Sequence, residues 1–157
     1  MEGRPGLYYP DVAVLDSDGR LVVVEVKPLY LMYRQKALAK AIAALEHFGP
    51  RGIGYLLVDP RGRTLADFVH ANYDAEAAET VESLFVHGPV SFRLLRNLLR
   101  MRGSCLKLTS FASMVVNRDW GVTSGPGVRI WKLPDGLSFR KLSLKTLPAE
   151  ARHPAAP

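Results

Sequence analysis

A single cysteine, Cys105, occurs in the 157 residues. That excludes an internal disulfide, disfavours a thiolate zinc site and makes a reducing cytosol the simplest compartment. Long apolar runs are missing as well. The strongest, at residues 21–24, falls far short of the roughly 20 residues that a membrane-crossing helix needs. The first six residues are polar and lead into a strand-like segment, unlike a secretion signal. Acidic residues are outnumbered, 15 against 21 Lys and Arg, for a net charge of +6 and a pI near 9.7. The imbalance is uneven. Residues 1–72 hold nine basic and eight acidic side chains, and residues 73–157 hold twelve and seven. A near-neutral half joined to a basic half suits a site rich in carboxylates next to a phosphate-binding surface, although a solubilising surface gives the same asymmetry. Hydrophobic content of 48% and charged content of 23% are those of an ordinary globular chain. Such a chain forms one domain or two small ones.

Residues 10–27 read as a β-hairpin, with β-prone runs on either side of Ser17-Asp18-Gly19. Helical spacing of Leu38, Ile42 and Leu45 predicts a helix over 30–48, stopped by Gly49-Pro50. Residues 53–58 fit a buried strand and 59–62 a turn. After a seam near residues 72–74, Asp74 is placed to cap a helix over 75–86, and Ser91 to cap a second that buries Phe92, Leu95, Leu98 and Leu99. Gly103 ends it. A third helix over about 109–118 would bury Phe111, Met114 and Val115. A Gly/Pro-rich bend at 124–127, a strand over 128–133 and an Ala/Pro-rich tail expected to be disordered complete the chain. The expected class is α/β (α+β): a sheet with a helix on one face over 1–72, then three helices and a hairpin in winged-helix order over 73–147, then a tail over 148–157.

The chemistry concentrates at the hairpin. Side chains alternate along a strand, so Glu25 and Lys27 share one face. A two-residue Asp18-Gly19 turn would set Asp11 opposite Val26, on the wrong face. A three-residue loop with Gly19 left-handed in a bulge would set Asp11 opposite Glu25, pair Ala13 with Val23 and pair Leu15 with Leu21. A glycine in third position favours the second arrangement. Two converging carboxylates can hold Mg²⁺, with Mn²⁺ as a substitute, while Lys27 orients water or balances charge on phosphorus. Strand-end charges are also common on a solvated sheet. Here Val22, Val23, Val24 and Val26 make the strand apolar on both faces, where Glu25 and Lys27 are unexpected unless they form a site.

Tyr9-Pro10-Asp11-Val12, the Asp-Gly loop and Val24-Glu25-Val26-Lys27-Pro28 resemble the signature of PD-(D/E)XK nucleases. The aromatic before Pro-Asp, the proline after Lys, Lys36 and Lys40 on the following helix, and the run Tyr55-Leu56-Leu57-Val58 resemble the TnsA-like endonucleases of heteromeric transposases. The resemblance implies a restriction-endonuclease-like core with a C-terminal winged-helix-like domain, and a Mg²⁺-dependent DNA endonuclease acting at transposon ends. Asp11 and Glu25 would be metal ligands and Lys27 the catalytic base or stabiliser. The implied partners are double-stranded DNA, a DDE transposase subunit and an ATPase regulator, in a cytoplasmic, nucleoid-associated setting without a membrane. The family carries a helix and a strand ahead of Pro-Asp, with a further acid on that helix. This chain begins ten residues before Asp11, and its acidic position is Glu25 where some members have Gln. An inactive DNA-binding adaptor with a vestigial core, or a restriction or junction-resolving nuclease of the same fold, are the alternatives.

Candidate DNA contacts lie in the basic half. Arg93, Arg96 and Arg100 share one helical stripe, Ser110, Ser113 and Asn117 are expected on the outer face of the third helix, and Arg129 and Lys132 on the wing. An ordinary solvated helix face accounts for the arginines equally well. His47, His70 and His87 have no metal-ligand spacing and read as surface residues. Trp120 and Trp131 read as core or seam residues, and Cys105 as a small buried one.

Overall fold

The computed structural model describes residues 9–123, 127–135 and 137–139. The expected disordered tail and the centre of the bend at 124–126 lie outside them. Among the described residues, one mixed and one antiparallel sheet and five α-helices make a mixed α/β structure.

The hairpin pairs β1 (Val12–Leu15) with β2 (Leu21–Val26), and its loop determines the register. Asp16 donates its N–H to the carbonyl of Arg20 at 2.9 Å, leaving Ser17, Asp18 and Gly19 as the three loop residues. Gly19 has φ +76°, the left-handed region where only glycine avoids a Cβ clash. The Asp16 carboxylate tightens the turn by accepting the N–H groups of Asp18 and Arg20 at 2.9 and 2.8 Å. Ala13 therefore faces Val23 and Leu15 faces Leu21, the register expected of a three-residue loop.

Two helices, α1 (Leu29–Met32) and α2 (Gln35–Phe48), replace the single helix expected over 30–48. The chain opens at Arg34, which is extended (φ −77°, ψ 144°), and so swings buried Tyr33 toward the C-terminal half. β3 (Gly54–Val58) then pairs parallel with β2, giving the order β1-β2-β3. Helix α2 buries Leu38, Ala41 and Ala44 in one core with Val23, Tyr55 and Leu57. Among the described residues no helix covers the opposite face to the same degree: Val22 and Val24 are half-buried, and Val12, Val14 and Val26 are exposed. Strand β2 is thus buried on one face only, correcting the two-sided burial read from its valines.

In the second half, Asp74 caps α3 (Ala75–Ser83) by accepting the Ala77 N–H at 2.9 Å, and Ser91 caps α4 (Phe92–Met101) by accepting that of Leu94 at 3.3 Å. Helix α3 is shorter than expected, because residues 84–87 tighten into a 3₁₀ turn. Between them lies β4 (Val90–Ser91), which sequence alone did not reveal. After α5 (Leu108–Arg118) come β5 (Trp120–Val122) and β6 (Arg129–Lys132), and the antiparallel order is β4-β6-β5.

Helix α5 is the centre of the molecule. Phe111 through Val116 are all buried, six in succession, so it is covered on every side over that length. Its Phe111 ring meets Tyr33 edge-on at 5.3 Å and Phe92 at 4.9 Å. The core is continuous from Val23 to Phe139, so the expected boundary near residue 72 does not divide it. Cys105 is exposed, against the expectation that it would be buried.

A carboxylate–lysine site at the end of β2

Strand β2 carries Glu25 on the face covered by α2, in line with Val23. Only 4% of Glu25 is exposed, and its register partner on β3 is Leu57. A carboxylate in such a place is strongly destabilising unless it is paired. Its Oε1 contacts the ammonium of Lys27, which leaves the strand on the same face and is 27% exposed. The backbone of Lys27 extends the parallel ladder by donating its N–H to the carbonyl of Val58 at 2.8 Å. Lys27 is therefore held at both ends, by the sheet and by the acid two residues before it.

Asp11 precedes β1. The paired register ends with Val12 facing Val24, and Asp11 is the next residue outward, where continued pairing would set it opposite Glu25. Its side chain is exposed, and Oδ2 accepts the N–H of Val26 at 2.9 Å. This carboxylate oxygen replaces a backbone carbonyl where the ladder ends, which anchors the acid at the open mouth of the hairpin. Oδ1 is the oxygen on the side away from that hydrogen bond.

The donor set fits a hard divalent cation in kind, with two carboxylates and room at an exposed edge for water. Among the described residues no group of three or more His, Cys, Asp or Glu side chains is placed to hold a metal, so a cation here would rest on the Asp11–Glu25 pair and water. Asp59, one residue past β3, adds no ligand. Its Oδ1 accepts the N–H groups of Arg61 and Arg63 at 2.9 Å each, and its Oδ2 accepts from the Arg63 guanidinium at 2.9 and 2.6 Å. The Arg63 hydrogen bond, helped by the backbone donors and opposed by burial, holds its pKa below the ordinary carboxylate value. Asp59 closes a turn.

The basic half divides differently from the sequence reading. Arg93, Arg96 and Arg100 are all exposed on α4, the first two beside a cavity of about 430 Å³ that Gly127 and Val128 also line. Arg129 is exposed and lies opposite Ser91 in the β4–β6 register, near the start of that helix. Lys132 donates to the carbonyl of Arg118 at 2.6 Å and so closes the C-terminal end of α5. Ser110 is half-buried.

The other two positions expected to face DNA point inward. Ser113 is fully buried and donates to the Val69 carbonyl at 3.3 Å. Asn117 donates to the same carbonyl at 2.7 Å and to Ser113 Oγ at 3.1 Å. Both tie α5 to the turn at residues 65–68, a structural task that replaces base contact. The signal available in the sequence was the absence of any charged side chain from residue 108 to 117. His47, His70 and His87 are exposed, as expected. No helix among the described residues is long and apolar enough to cross a membrane. No protein-family model matches this chain, and no curated protein or solved structure matches it significantly.

Proposed function

We propose that the protein is a Mg²⁺-dependent DNA endonuclease with Asp11, Glu25 and Lys27 at its site, acting as the TnsA-like subunit of a heteromeric transposase. The observation that supports the reading is the contact of Lys27 with the buried Glu25, at the open end of a hairpin whose register runs to Val12 and Val24, one residue short of Asp11 and Glu25. In this reading Asp11 and Glu25 hold the cation, which when bound supplies positive charge to the phosphodiester and acidifies a water. Lys27 stands beside them to orient that water or to stabilise charge on phosphorus. Helix α4 and the order β4-β6-β5 belong to a winged-helix-like half, in which Arg93, Arg96, Arg100 and Arg129 would contact phosphates. With α5 buried, α4 rather than the third helix is the surface offered to DNA. A transposase subunit, an ATPase regulator and a nucleoid location belong to the same proposal.

A second reading, a DNA-binding adaptor that does not cut, draws on the Lys27–Glu25 contact. An ammonium already seated on Glu25 competes with a cation for that carboxylate. Supercoiled plasmid incubated with the protein and Mg²⁺ or Mn²⁺ separates the two. Nicking that vanishes in both Lys27→Ala and Asp11→Asn, with the circular dichroism spectrum unchanged, supports the nuclease. Plasmid binding without nicking, alone and with a transposase partner, supports the adaptor.

A further inference from the structure

The cavity of about 430 Å³ at the start of α4 has walls of two kinds. Phe92 and Val128, both half-buried, make an apolar wall, and the exposed Arg93 and Arg96 make a cationic one. Ser91 and Gly127 complete the lining. Backbone ties hold these walls together. Ser91 and Arg129 face each other in the β4–β6 register, and the Phe92 N–H donates to the Val128 carbonyl at 2.8 Å. The Phe92 ring is braced from the core by its edge-on contact with Phe111 at 4.9 Å. Gly127 has φ +84°, in the left-handed region, so its part of the wall is bare backbone. Arg93 and Arg96, three residues apart on a helix, are neighbours on its surface.

The volume falls within the roughly 300–1,000 Å³ of sites that take a whole small molecule, and the two walls ask for a ligand with two ends. A bare phosphate would satisfy the arginines and leave the apolar wall wet. A purely apolar ligand would do the reverse. A nucleotide has a flat base for the first wall and a phosphate for the second. We infer that this cavity takes one unstacked nucleotide, its base against Phe92 and Val128 and its phosphate on Arg93 and Arg96. Stacking on an aromatic ring holds any base, and the guanidinium fork matches phosphate oxygens in pairs. The nucleotide belongs either to a single-stranded stretch of nucleic acid or to the free pool. The first source rests on the reading of α4 as the surface offered to DNA, with Arg100 and Arg129 beside the cavity to carry the rest of the strand. The cavity itself needs neither that reading nor hydrolysis at Asp11 and Glu25.

Calorimetric titration of the full chain with thymidine 5′-monophosphate, thymidine and inorganic phosphate tests the inference. Thymidylate should bind about tenfold tighter than either thymidine or phosphate, because stacking and charge act together. Arg93→Ala/Arg96→Ala, at exposed positions, should weaken thymidylate about tenfold, while Arg61→Ala, in the exposed turn after β3, should leave it within about twofold. Phe92→Leu should weaken thymidylate and spare phosphate. Phe92 also packs on Phe111, so its thermal melt is recorded alongside, and the three-ligand comparison on the wild type decides if that variant fails to fold. A short oligothymidylate that binds tighter than the monophosphate and competes with it assigns the cavity to a nucleotide of a strand. A monophosphate that binds at least as tightly assigns it to a free nucleotide. Thymidylate no tighter than phosphate, or weakened equally by Arg61→Ala, overturns the pocket. Plasmid nicking is scored separately: a chain that cuts without preferring thymidylate loses the pocket and keeps the nuclease, and one that prefers thymidylate without cutting does the reverse.

Discussion

Two acids near the ends of neighbouring strands, Glu25 and Asp59, are both almost wholly withdrawn from water, at 4% and 3% exposure, and both are held by a cation. Their partners separate a site from a scaffold. Glu25 leans on a lysine that stands at a cavity, whereas Asp59 has both oxygens filled by its own turn. Asp59 therefore carries a stability prediction. Its pKa is lowered in the folded chain, chiefly by Arg63, so its contribution is fully present above the unfolded carboxylate value of about 3.9 and is lost as pH falls through the lower folded value. Asp59→Asn keeps the shape but loses the charge-assisted bonds. It should cost about 2 kcal/mol near neutral pH. Thermal melts of wild type and variant should converge as the pH drops below that carboxylate value. A gap that stays constant down to the acid limit would remove the carboxylate from the explanation.

At the scale of elements, the β5–β6 hairpin shows how a short strand is held without much length. Gly121 lies opposite Trp131, and a Cβ on Gly121 would fall within the edge of the indole ring. The glycine is needed for close approach of the ring to the strand. Gly121→Ala should destabilise by about 1–3 kcal/mol in urea unfolding. The same change in a Trp131→Leu background should cost less, because the smaller side chain yields the space, and the difference is a coupling energy that a double-mutant cycle measures. Equal costs in both backgrounds would mean that the ring is not what makes the glycine necessary.

The elements that could be read from the sequence were those announced by local chemistry. Gly19 in the third loop position gave the hairpin register, and Asp74 and Ser91 gave the starts of α3 and α4. What could not be read depended on partners distant in sequence. β4 is two residues long and exists because Val90 and Ser91 meet Ile130 and Arg129. The break at Tyr33–Arg34 coincides with the docking of Tyr33 on Phe111, 78 positions later by sequence number. The candidate site divides in the same way. Glu25 and Lys27 share a face by strand alternation, while Arg34 became part of a basic cavity only through the open turn ahead of α2.

For the molecule as a whole, the two sheets share a core through α5, and this bears on how the chain unfolds. Tyr33 reaches Phe111 from the N-terminal side, where burial pushes the Tyr33 phenol up to about 12, so it stays protonated throughout the useful pH range. Ser113 and Asn117 grip the Val69 carbonyl from the other half. If the halves were separate domains, loosening α5 would leave β2 untouched. With a continuous core, both should open together, as small cooperative chains do. Phe111→Leu removes aromatic contacts at the seam and should cost about 1–3 kcal/mol. Hydrogen exchange of the Val23 amide on β2 and of the Val115 amide on α5, followed in wild type and in Phe111→Leu, reads this directly. Both should exchange through the same opening, and the substitution should accelerate both by the same factor. Acceleration confined to Val115 would show that the sheet carrying Glu25 and Lys27 stands without its C-terminal support, and that the site could be kept by the first half alone.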